Sequence, residues 1–200
     1  MSASRFEQAV AAFERINAED PRRERVGDVE WPREQLRARQ LVEWVHRLDA
    51  GASEALRLAA HCQHVGRFRF PRTGYPEGRV GYLRWRTELS RRHAEMAREV
   101  LVAAGYDPDT IATVQGIVQK QGLRSRPDVQ TIEDALCLVF LEHEFTDFCA
   151  EHDEAKLLTI VRKTWAKMSP TARQLALGLP LSGRPLEVVQ RALAEPSLPA

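Results

Sequence analysis

Three of the six histidines, eight arginines and only two acidic residues crowd into Leu58–His93, LAAHCQHVGRFRFPRTGYPEGRVGYLRWRTELSRRH. His61 and His64 are three residues apart at the end of an Ala-rich segment, so on a helix they share one face. An imidazole at a helix end binds metal, shuttles a proton or contacts phosphate. His61 is expected to be an ordinary hydrogen-bonded histidine. Gln63, Gly66 and Arg67 beside His64 point instead to a site. His93 shares the helical face of Leu83, Arg86 and Leu89 and is expected to point inward, either as a packed core group or as a site residue.

Guanidinium forks match phosphate and carboxylate oxygens. Arg67, Arg72, Arg84 and Arg86 are the candidate anion clamp, with Gln63 and Tyr82 beside them as further substrate contacts. Tyr75, Tyr82 and Trp85 interleave with the arginines, so an aromatic base would find a stacking surface. Arg91 and Arg92 read as a solvated face carrying Arg–Glu pairs. Glu133-Asp134 precedes the most apolar run of the chain. Acids in a first helical turn favour the helix dipole. Yet one of two adjacent residues is expected to reach the interior, where a carboxylate needs a cation such as His64, His93, Lys120 or a metal.

The elements that must hold these groups read as helices. Phe6, Val10, Phe13 and Ile16 set a helix over Ser2–Asn17, capped by Ser2 or Ser4. Asp20–Trp31, with PRRER, reads as a charged connector. Pro32 opens a helix striped by Leu36, Leu41, Trp44, Val45 and Leu48. Ser53 caps a helix from Glu54 to about Val65, which Gly66 ends or bends. Phe68–Gly81 reads as a loop of two turns, and a loop of that length is more often functional than idle. Tyr82–Ala104 is helical, with Leu83, Leu89, Met96, Val100 and Leu101 on one side, and Gly105 stops it. Asp107-Pro108 opens a helix carrying Ile111, Val114, Ile117 and Val118, which Gly122 stops. Arg124–Asp128 reads as a polar loop, and Thr131 caps TIEDALCLVFLEHEFTDFCAEH. Asp153 and Ser169-Pro170 open two more helices, and Leu186–Leu193 forms a last one before a Pro-containing tail. No stretch alternates with period two, so the fold class is all-α.

The 200-residue chain suits one domain. A net charge of +1 argues against nucleic acid or an anionic membrane as a bulk partner, so anion binding must come from local clustering. Cys62, Cys137 and Cys149 have no CxxC spacing and read as buried thiols of a reducing cytoplasm. No signal peptide is expected, because Arg5 and Glu7 interrupt the N-terminus, and no apolar run reaches the length of a membrane span. Localisation is therefore expected to be cytoplasmic. Lys167-Met168-Ser169 lacks the second Lys-Ser of a KMSKS loop, and no P-loop, GxGxxG, HExxH or GxSxG is present.

The blocks QHVGRFRFPR, YPEGRVGYLRWR, RRHAE, QTIEDALCLVFLE and KTWAKMSP together resemble an uncharacterised family, domain of unknown function 4202, over most of Arg5–Leu181. That resemblance implies no activity. The order of elements is also similar, more distantly, to the HD phosphohydrolase superfamily, which is all-α and binds divalent metal. The similarity implies an HD-domain-like compact helical bundle, with a core over about residues 32–150 and extra C-terminal helices over about 153–195. It sets Gln63-His64 in the place of the His-Asp pair, His93 on the next long helix, Lys120 or Gln121 where another His is common, and Asp134 in the place of the final Asp. Arg37 or Arg39 stands where the first metal His is expected, and Gln63 also replaces a ligand. Two sites follow from the comparison. In one, His64, His93 and Asp134 hold a divalent metal with open water positions. In the other, arginines supply the positive charge without a metal.

The function expected on this reading is HD-like hydrolysis of a small phosphorylated or otherwise anionic substrate, nucleotides included. Arg67, Arg72, Arg84 and Arg86 hold the anion. His64, His93 and Asp134 bind the metal or act as a general acid–base set. Glu133 orients a partner, and Lys120 neutralises charge. The alternative is a catalytically inactive anion- or nucleotide-binding module with a regulatory role. RNA contact through the Arg–aromatic loop is a third reading that the near-neutral charge opposes. The oligomeric state is left open.

Overall fold

The computed structural model describes residues 3–194 and is helical apart from one small hairpin. Its contacts divide it into two compact units, one ending at Ile132 and the other starting at Glu133. The expected core and extension were divided instead near residue 150.

In the first unit, α1 (Arg5–Ala18) starts at a capping box. Ser4 accepts the Glu7 amide, and the Glu7 carboxylate returns to the Ser4 amide. Ser2, the other expected cap, lies outside the described residues, as does the expected Pro-containing tail. Strands β1 (Arg23–Val26) and β2 (Val29–Pro32) pair antiparallel, Arg23 opposite Pro32 and Val26 opposite Val29. This hairpin corrects the expectation of a connector and of no strands. One face carries Arg23, Arg25 and Glu30 and the other Val26, Val29 and Trp31 beside Glu24, but each strand is only four residues long, too short for the alternation to stand out.

Helix α2 (Arg33–Leu48) follows directly and buries Glu34, Leu36, Leu41, Trp44 and Val45. Helix α3 (Glu54–Cys62) starts where Ser53 accepts the Leu56 amide. It packs against α1, α2 and α5 (Pro108–Val118), and Leu58 and Ala59 are fully enclosed. Truncating a side chain enclosed like Leu58 to Ala costs about 2–5 kcal/mol.

Helix α4 (Gly78–Ala103) starts four residues before the expected Tyr82. Its inward row is Gly81, Trp85, Leu89, His93, Ala97 and Leu101, a four-residue spacing. Leu83, expected inward, is 51% exposed, and Arg86 is also exposed. Gly81 read as a loop residue, yet it is helical: a Cβ there would lie 1.9 Å from the Pro76 carbonyl oxygen. The loop before α4 contains two short 3-10 turns, Arg67–Arg69 and Arg72–Gly74. Trp85 Nε1 donates to the Phe70 carbonyl and fastens it.

Helix α5 ends at a Schellman motif. The Lys120 amide bonds the Ile117 carbonyl and the Gln121 amide the Gly116 carbonyl, with Lys120 at φ +57°. The stop is therefore Lys120 and not the expected Gly122. Helix α6 (Pro127–Val139) also starts earlier than expected. Thr131 is interior to it and donates to the Pro127 carbonyl instead of capping.

The second unit holds the rest. A π-helical turn, Phe140–Glu144, interrupts what read as one helix, and α7 (Phe145–Glu151) follows it. Helices α8 (Glu154–Lys167) and α9 (Pro170–Leu177) start at the expected caps, Asp153 and Ser169. Helix α10 (Gly183–Ala194) packs on α8 and α7, and Leu138, Phe145, Leu157 and Val161 are buried in this unit.

Candidate functional site

The site grows from the ends of α3 and α5, the start of α2 and the middle of α4, all in the first unit. Gln63 and His64 follow the last turn of α3. The Gln63 amide donates to the Val118 carbonyl at the end of α5, 3.0 Å away. Gly66 then turns the chain at φ +64°, its amide held by Asn17 Oδ1. A Cβ on Gly66 would lie 2.5 Å from Met96 Cε, so the backbone of this turn lies directly on α4.

That turn presents the Val65 carbonyl to His93, whose Nδ1 lies 2.8 Å away. A carbonyl only accepts, so Nδ1 carries the proton and Nε2 is a bare lone pair. His93 is 2% exposed, and its Nε2 is buried with no hydrogen-bond partner. The His64 ring lies 5.9 Å away, centre to centre. Burial drives the His93 pKa down to about 4, against the hydrogen bond that His93 donates to Val65, and Arg67 pushes the same way as burial. Burial also holds His64 well below the usual range, followed by Arg67, His93, Lys120 and Arg37. Both rings are therefore neutral at pH 7, in a field of fixed positive charge.

Glu34 is a further candidate that its sequence context did not single out. It is 1% exposed and sits at the start of α2. One oxygen accepts Arg22 Nη2 at 2.7 Å, and the other, Oε2, is buried without a partner. Arg22 also forms a two-pronged pair with fully buried Asp20, and Asp20 accepts the Glu34 amide. Burial raises the Glu34 pKa, while Arg37, Arg67 and Arg22 oppose the rise. Glu34 reads as an ordinary first-turn acid. Its spacing to Leu41 and Val45 on the buried face of α2 was the signal available.

The expected clamp divides. Arg67 belongs to this cluster, and its guanidinium lies 5.1 Å from the centre of the Trp85 ring. Arg72 is used by its own loop, donating to the carbonyls of Tyr75, Pro76 and Gly78. Arg84 lines an open groove of about 520 Å³ with Tyr75, Thr87 and Glu88. Arg86 donates to the Tyr82 hydroxyl at 3.2 Å on the exposed side of α4. Arg91 and Arg92 both pair with Glu88, as read from the sequence. His61 packs edge-on to Phe6, and burial lowers its pKa to about 4.

Glu133 and Asp134 are both buried in the second unit. Asp134 Oδ1 accepts the Ser169 amide at 2.8 Å, and Glu133 lies 3.3 Å from Lys167 Nζ. The Lys-Met-Ser tripeptide is thus the α8–α9 junction that these two acids engage. Among the described residues, no group of three or more His, Cys, Asp and Glu side chains is placed to hold a metal ion. Of the expected set, His64 and His93 belong to the first unit and Asp134 to the second, where it accepts the Ser169 amide. The three cysteines are buried, and no described helix is long and apolar enough to cross a membrane.

One family model, described as Domain of unknown function (DUF4202), matches residues 7–189. The chain belongs to this family. No curated protein and no solved structure matches it.

Proposed function

We propose that this DUF4202 protein is a hydrolase of HD-like design that acts on a small phosphorylated or otherwise anionic substrate without a metal. The observation that carries the reading is His93: its proton is fixed on Nδ1 by Val65, and its unpartnered Nε2 is buried beside neutral His64. Such a nitrogen is a general base that takes a proton from water as the water attacks. Arg67, Arg37 and Lys120 already exert positive charge on His64, and this charge stabilises the anion and the charge that builds on its oxygens. The imidazolium formed on His93 then gives up that proton and the leaving oxygen takes one from solvent, completing the balance, while neutral His64 packs beside it. On this reading Glu133 and Asp134 fasten the second unit and take no part in the chemistry.

The test is a panel of phosphomonoesters, phosphodiesters and nucleotides, run with and without chelator. Turnover that survives chelator and is lost in His93→Asn is the expected result. Dependence on added Mn, Fe, Co or Zn would overturn the metal-free mechanism. Tight binding with no turnover of any ester would replace the enzyme by an anion-binding module.

A further inference from the structure

The first turns of α4 carry a surface unlike the rest of that helix. With Gly81, Trp85, Leu89 and His93 turned inward, Val80, Leu83, Arg84, Thr87 and Arg91 fall on the outward face at spacings of three and four. Val80 is 82% exposed, more than any other large apolar side chain among the described residues, and Tyr82 and Leu83 beside it are exposed too. Apolar side chains scattered singly over a surface need no explanation, but three within four residues form a patch.

The arginines of these turns also differ from those that follow. Further along α4, Arg91 and Arg92 share Glu88, and Arg98 pairs with Glu95, as a solvated helix face does. Arg79, Arg84 and Arg86 have no carboxylate partner among the described residues. The patch is therefore aliphatic at its centre and cationic at its edges. The open groove lined by Tyr75, Arg84, Thr87 and Glu88 borders it. Its walls are held in shape in advance. Arg72 donates to the carbonyls of Tyr75, Pro76 and Gly78, Trp85 Nε1 donates to Phe70, and Gly81 lies directly on the Pro76 carbonyl. A surface already ordered loses less conformational freedom when a partner docks.

We propose that this face of α4 and its groove dock an acidic amphipathic helix of a partner protein. Apolar side chains of that helix, three and four residues apart, pack on Val80, Leu83 and Thr87. Carboxylates flanking them meet Arg79, Arg84 and Arg86, and Arg84 offers a two-pronged pair at the groove. A second copy of this chain pairing through the same face would set arginine against arginine. Single-stranded RNA stacks on open aromatic rings, whereas Trp85 is buried and the centre of the patch is aliphatic. The face lies on the opposite side of α4 from His93, so docking stands apart from the chemistry proposed for the histidines.

The experiment measures binding to the full chain by fluorescence anisotropy. The probe is a labelled synthetic helix of about three heptads, with leucine at its a and d positions and glutamate flanking them. Its controls are the same composition in scrambled order and the version with lysine in place of glutamate. The glutamate helix is expected to bind at least about tenfold more tightly than either control, and less tightly as salt is raised. Leu83→Ser and Arg84→Glu, both at exposed positions, are each expected to weaken it about tenfold with thermal unfolding unchanged. No binding, equal binding of the scrambled peptide, or binding indifferent to both variants would overturn the proposal. Tighter binding of a uridine-rich RNA or of phosphatidylserine vesicles, lost in Arg84→Glu, would assign the face to nucleic acid or membrane instead. A concentration-dependent dimer lost in Leu83→Ser would assign it to a second copy, and either result overturns the partner helix.

Discussion

His93 donates its Nδ1 proton to the carbonyl of Val65, 2.8 Å away and 28 residues earlier in the chain. The bond ties the middle of α4 to the turn after α3 and selects the tautomer that leaves Nε2 bare. Asn places an N–H close to the position of Nδ1 but has nothing at Nε2. His93→Asn is therefore expected to keep the Val65 bond, cost less than about 2 kcal/mol in denaturant unfolding, and abolish turnover. A variant that unfolds outright would show that His93 acts chiefly as a core group.

The neutral histidines give stability a pH dependence of known sign. His93 titrates near 4 in the folded chain against 6.5 for an ordinary histidine, and His61 behaves alike. Between those values the unfolded chain binds the proton and the folded one does not, so stability is present above about pH 6.5 and lost as pH falls toward 4. For His93 alone the loss is on the order of 3 kcal/mol. Urea unfolding from pH 8 to pH 4 measures it, and a flat profile would contradict the buried neutral state. Turnover, where the base is His93, is expected to hold constant down to about pH 5.

Lys120 occupies a backbone position that glycine normally takes, at φ +57°. Lys120→Gly relieves the left-handed strain but adds freedom to the unfolded chain, so stability is expected to stay within about 1 kcal/mol. Lys120→Val adds a β-branched side chain to the same strained position and is expected to cost about 1–3 kcal/mol. Both remove the charge beside His64 and are expected to weaken inhibition by inorganic phosphate. Unchanged inhibition in Lys120→Gly would remove Lys120 from the anion site.

Asp134 accepts the Ser169 amide at the start of α9. Asp134→Ala is expected to destabilise the protein by about 1–3 kcal/mol, because that amide is left unmatched in a half-buried position. Asp134→Asn retains an acceptor oxygen and is expected to recover most of the loss. Turnover in both variants, scaled to the folded fraction, is expected to match wild type. A selective loss of turnover in Asp134→Asn would return Asp134 to the chemistry.

Gly66→Ala meets two obstacles at once, a positive φ and the Met96 methyl 2.5 Å from the new Cβ. Its expected cost is about 1–3 kcal/mol. Met96→Ala in the same chain removes the collision and leaves the φ strain, so the pair is expected to lose less than the sum of the single changes. Additive losses, measured as unfolding free energies, would show that Met96 moves aside freely.

The helices were largely legible because their signals are local. Ser53, Asp107, Asp153 and Ser169 each cap the helix they were read to open. The errors share a cause. Gly81 and Lys120 took conformations that only a neighbouring segment explains, the one by close approach of Pro76 and the other by a helix-ending motif that does not require glycine. The β1–β2 hairpin has strands of only four residues, too short for the alternation of its charged and half-apolar faces to stand out. The arginines divided for a similar reason. Composition shows a basic stretch, but whether a guanidinium serves a ligand, its own loop or an exposed hydroxyl depends on which carbonyl or ring lies within reach.

The sequence by itself determined the helical class, most helix starts, the burial of the thiols and the crowding of His64, His93 and Arg67 near one loop. Capping, spacing and charge carry this information, and they act within a few residues. Tertiary structure alone decided that Glu34 is buried in the field of Arg67, that Val65 fixes the tautomer of His93, and that Asp134 engages Ser169. Each of these depends on segments distant in sequence meeting at hydrogen-bond range or sharing a low-dielectric interior, where a single unmatched atom or charge sets the chemistry.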